Sequence, residues 1–108
     1  MFWLNKRSYK VMSSLFGHSQ MPAGILKWRD FVSAMAKLGF KCSPAPTGGP
    51  RRVFRAVDAV KLPPFAWDEP HGKRNGDLSL CKKARLAREL QQRYGWDEKT
   101  FRLKRGER

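Results

Sequence analysis

His71 is the residue best placed to do chemistry. It follows Asp68, Glu69 and Pro70, and Lys73 and Arg74 come soon after it. Imidazole titrates near neutral pH, so His71 can act as acid or base beside a carboxylate while the two cations hold a phosphate. A histidine that caps a strand end and hydrogen-bonds locally has the same surroundings, so both readings stand. His18 has no comparable neighbours. The remaining chemistry is electrostatic. Arg51, Arg52 and Arg55 crowd one short segment, and Lys82, Lys83 and Arg85 crowd another. Guanidinium and ammonium groups this close together suit phosphate contacts, although each alone is also an ordinary solvated side chain.

The charge balance favours phosphate contacts for the set. The 108 residues carry 23 Lys+Arg against 9 Asp+Glu, a formal net charge of +14. Nine acids cannot neutralise that excess, and it repels itself in the folded state unless a polyanion meets it. RNA is the expected partner, with an acidic protein and an anionic membrane surface as alternatives. No apolar run approaches the roughly 20 residues that span a bilayer, so no membrane span is expected. Cys42 and Cys81, with two histidines, fit no zinc spacing. Neither a metal nor another cofactor is expected, and reduced thiols are. Residues 1–20 are basic, serine-containing and free of acids. A mitochondrial presequence has that composition, and so does a loosely ordered basic extension of an intracellular protein.

The elements that must position these side chains can be read in order. Residues 1–25 read as a basic, flexible or weakly helical arm ending in the breakers Pro22 and Gly24. Residues 26–102 read as one domain and 103–108 as a basic tail. Trp28, Phe31, Val32, Met35 and Leu38 recur at helical spacing, and Gly39 stands where a left-handed cap is expected. Phe40–Ser43 alternates as a strand does, prolines and glycines force a loop, and Arg51–Val57 makes a second strand. Phe65–Asp68 is a third. Asp77, or else Ser79, caps a second helix ending at Tyr94, with Leu80, Ala84, Ala87, Leu90 and Tyr94 as its apolar face, flanked by Leu86. Trp96 and Phe101 fold back on the core. The expected fold is α+β, in helix-strand-strand-strand-helix order. A three-stranded antiparallel sheet then carries two helices on one face, as in double-stranded-RNA-binding domains. Trp28, Phe31, Phe40 and Phe54 belong to the core; Trp67 is either core or a platform for an unpaired base.

Three stretches resemble the HicA family of toxin domains, and more closely its fungal HicA-like subgroup. Trp28-Arg29-Asp30-Phe31-Val32-Ser33-Ala34-Met35, closed by Gly39-Phe40, is similar to the opening helix. Asp68-Glu69-Pro70-His71 is similar to the end of the third strand, and Tyr94-Gly95-Trp96 with Phe101 to the closing segment. The resemblance covers about residues 26–101. It implies a small, metal-independent endoribonuclease that cleaves mRNA and is held inactive by an acidic antitoxin-like partner. The family's catalytic histidine lies in a Gly-Ser-His-x-x-Phe pattern. With Phe54 as anchor, Gly49 falls on the glycine, Pro50 on the serine and Arg51 on the histidine. Guanidinium stays protonated, so Arg51 can stabilise a phosphorane-like charge but cannot serve as a base. The expected function is therefore RNA binding with weakened or absent ribonuclease activity. Arg51, Arg52, Arg55, Lys73, Arg74, Lys82 and Arg85 would contact phosphate, and any remaining catalysis would fall to His71.

Overall fold

The computed structural model describes residues 2–16, 26–57, 61–70, 77–78 and 80–104. The chain is an α+β domain whose central sheet is three-stranded and antiparallel, in the order β3-β4-β5. Its strands are β3 (Phe40–Pro44), β4 (Arg51–Ala56) and β5 (Phe65–Asp68). Helix α2 (Trp28–Lys37) precedes the sheet and helix α3 (Leu80–Tyr94) follows it, as the periodicity indicates. Gly39 closes α2 with φ of 98°, a conformation that a side chain would strain. In the β3–β4 connection Gly48 and Gly49 take φ of 82° and 74° in succession, and Ala45 N–H donates to the Arg51 carbonyl across it.

The register assigns the faces. Phe54 opposes Cys42 on β3 and Phe65 on β5, so these three share one face, as do Arg52 and Trp67. The Trp28 and Phe31 rings of α2 lie 5.7 and 5.5 Å from Phe54, and Tyr94 of α3 lies 5.7 Å from Phe40 and 6.4 Å from Phe65. Both helices therefore cover the same side of the sheet. Lys41, Ser43, Arg51, Arg55 and Asp68 stand exposed on the other.

The N-terminal segment corrects the expectation of a flexible arm. Phe2–Leu4 forms β1, and Lys6–Phe16 forms helix α1. Asn5 starts this helix, its Oδ1 accepting from Ser8 N–H at 2.8 Å as an N-cap does. Val11, Met12, Leu15 and Phe16 are buried, while Lys6, Arg7 and Lys10 remain exposed. Helix α1 packs on α2, α3 and the C-terminal strand β7 (Phe101–Leu103). Strand β1 pairs with β7 in parallel, Phe2 beside Phe101 and Leu4 beside Leu103. Leu103, the first residue of the expected basic tail, thus ends this strand. Phe101 is also sandwiched between Phe2 and Phe16, with centroids 5.9 and 5.7 Å away. This remote apolar contact adds to the packing of α1 on α2 and α3.

Two further differences concern α3. Asp77 is not its cap: with Leu78 it forms β6, antiparallel to β2 (Leu26–Lys27). The helix also sits rotated from the expected face. Leu86 and Leu90 are fully buried, Ala84 is exposed, and Lys83 occupies a buried position. The true stripe runs Lys83, Leu86, Leu90 and Tyr94; a lysine inside it hid the pattern.

Candidate nucleic-acid interface

Strand β5 and helix α3 leave a groove between them of about 610 Å³. One wall is the β5 side, with Ala66, Trp67, Asp68, Glu69 and Pro70, joined by Pro50 and Arg51. The other is a row on α3 comprising Lys82, Arg85, Glu89 and Arg93. Those four positions recur every three or four residues, so they line up along one side of the helix.

Arg51 stands opposite Asp68 in the β4–β5 register. Its Nε lies 3.2 Å from Asp68 Oδ1, with both side chains more than half exposed. Arg93 pairs with Glu89 at 3.1 Å on the helix wall. Exposed pairs of this kind contribute on the order of 0–1 kcal/mol, so a phosphate can exchange with the carboxylate at little cost. Arg85 makes no ion pair with a described residue and is exposed, as is Arg88. Lys82, Arg85 and Arg88 follow one another at three-residue spacing. Like charges so placed oppose helix formation by a few tenths of a kcal/mol per pair, and the earliest also oppose the dipole.

The other expected contacts are not all brought to this groove. Arg52 is turned to the helix side of the sheet with 26% of its side chain exposed. It donates to Glu69 Oε1 at 3.0 Å, to the Gly49 carbonyl at 3.0 Å and to the Arg51 carbonyl at 3.1 Å. It fastens the β3–β4 loop to the end of β5 and has a structural task. Burial pushes the Cys42 thiol up, with Arg52 acting against the rise and Glu69 adding to it; Cys42 is free. Arg55 lies on the outer sheet face opposite Lys41 and lines no part of the groove. His71, Lys73, Arg74 and His18 lie outside the described residues.

No protein-family model, curated protein or solved structure matches this chain. Among the described residues no cluster of His, Cys, Asp or Glu side chains could hold a metal ion. No helix among them is long and apolar enough to cross a membrane.

The groove adds two aromatic features to the charged ones. Trp67 is half-buried on its wall and stacks against Phe65, with centroids 5.9 Å apart and planes at 17°. The Arg93 guanidinium carbon sits 5.9 Å from the Phe65 centroid, a cation–π distance. Glu89 and Arg93 are the site residues that sequence reasoning left out. Arg93 could have been found, because it shares a helix side with Lys82 and Arg85. Lys83 resembles its neighbours in sequence but is only 4% exposed. Its Nζ donates to Ser14 Oγ of α1 at 3.1 Å, and burial pulls its pKa down. It joins two helices and does not face the groove.

Proposed function

We propose that the chain is an RNA-binding domain that grips the sugar-phosphate backbone with Arg51, Lys82, Arg85 and Arg93. The observation that carries this reading is the groove itself, in which cations from a strand end and from a helix row converge beside a tryptophan. The net charge of +14 supplies the long-range attraction. The resemblance to HicA-like domains supports RNA over other polyanions. In that family's pattern Arg51 stands at the histidine position, which favours holding RNA over cutting it. Binding of a short RNA measured at rising salt tests the proposal. Affinity should fall linearly in log–log form, by about 0.7–0.9 per phosphate neutralised. No measurable binding at low salt rejects it.

One observation keeps a second reading in play. Pro70 lines the groove, and His71 is the next residue in the sequence. Under this reading the chain is a metal-independent endoribonuclease in which His71 exchanges the proton and the arginines stabilise the developing charge. Cleavage of synthetic RNA that is lost in His71→Ala supports it, and cleavage that survives the change rejects that mechanism.

A further inference from the structure

We propose that the groove takes an unpaired stretch of RNA, one base stacking on Trp67 while flanking phosphates meet Lys82 and Arg85. This rests on the RNA-binding reading and narrows it from RNA in general to a single strand.

Three features of the groove point to a single strand. The first is size. Its volume of about 610 Å³ falls within the roughly 300–1,000 Å³ range of small-molecule sites. From Lys82 to Arg93 the helix wall runs about 16 Å, at about 1.5 Å per residue. A few nucleotides fit such a trough; a duplex does not enter it. The second is Trp67. A base can stack on an indole only when it has left its partner, because in a helix both faces are already occupied. Trp67 is half-buried, backed by the buried Phe65 ring and set in the wall of the groove, which holds its plane in place.

The third feature is the pattern of charge. A surface that grips a duplex from outside meets a ladder of phosphates and gains from cations alone. Here Asp68, Glu69 and Glu89 line the same groove, where a continuous phosphate ladder would meet them unfavourably. Carboxylates accept hydrogen bonds from ribose hydroxyls and from exocyclic base amines. The Watson–Crick edges that carry those amines are open only along an unpaired strand. The alternation of Lys82 and Arg85, then Glu89, then Arg93 matches a chain that presents phosphate and sugar or base in turn.

The test compares one labelled oligoribonucleotide, alone and annealed to its complement, by fluorescence anisotropy at one low salt concentration. Wild-type protein should bind the single strand at least several-fold more tightly than the duplex. Trp67→Ala should weaken single-strand binding by about 5- to 150-fold, the loss of one stacked base, and leave duplex binding within about twofold. Trp67→Phe keeps a stacking ring and should retain most of the affinity. Equal or tighter binding of the duplex by the wild-type protein overturns the proposal, and that comparison needs no variant to fold. An equal loss for both forms in Trp67→Ala overturns it too. If neither form binds, the RNA reading beneath it fails as well.

Discussion

Single side chains of the same type hold different posts in this chain, and only their partners distinguish them. Arg51 and Arg52 are neighbours in sequence. Arg51 borders the groove from the outer sheet face in an exposed pair, while Arg52 is tied to a carboxylate and two backbone carbonyls. Lys82 and Lys83 divide the same way, one exposed on the groove wall and the other buried against α1. Lys83 has a pH signature of known sign. Burial lowers its pKa from the ordinary 10.5, so below the lowered value both folded and unfolded chains hold the proton and the folded chain bears the cost of burying it. Between the lowered value and 10.5 the folded chain has shed a proton that the unfolded chain keeps, and stability rises with pH. The urea midpoint of wild type relative to Lys83→Met should therefore increase as pH approaches 10.5. A difference that stays flat over that range contradicts the assignment.

The elements explain what sequence reading reached and what it missed. Helix α2 and strands β3 to β5 announce themselves because their signals are local: Trp28, Phe31 and Met35 fall on one helix face, and Gly39 and the Gly48-Gly49 pair take the positive φ values their turns need. Helix α1 is signalled too, by the Asn5 cap and by Val11, Met12, Leu15 and Phe16 at helical spacing, but inside a basic, serine-containing stretch. Its buried Val11-Met12 and Leu15-Phe16 pairs are set among lysines and serines, and they find cover when α2, α3 and β7 pack on them. This makes α1 part of the core. Met12→Ala should cost about 2–5 kcal/mol of stability, the usual range for emptying a buried methionine site, measured by denaturant unfolding. A change below about 0.5 kcal/mol would restore the picture of a detached arm. The groove was half legible for the same reason. Arg51, Lys82 and Arg85 stand out as basic residues, but the groove exists only where α3 lies beside β5. The partners that separate gripping from structural arginines, Asp68 and Glu69, gain their meaning from cross-strand register.

At the scale of the whole molecule, charge and shape say different things. A net charge of +14 attracts any polyanion to any face, and the outer sheet face carries its own like-charged pair, Lys41 opposite Arg55. The groove between β5 and α3 is where cations, a tryptophan and exchangeable carboxylates meet. The open sheet edges are poor docks for another strand: β3 carries Lys41 and Pro44, and the four-residue β5 lies between Pro64 and Pro70. The distinction between overall charge and a defined groove can be measured by reversing one charge in two places. RNA affinity would be followed against salt for wild type, Arg85→Glu in the groove and Arg55→Glu on the outer face, two changes identical in net charge. Arg85→Glu should bind markedly more weakly, with a salt slope reduced by about 1, while Arg55→Glu stays close to wild type. Equal losses in the two variants would show that RNA is held by overall charge and not by the groove.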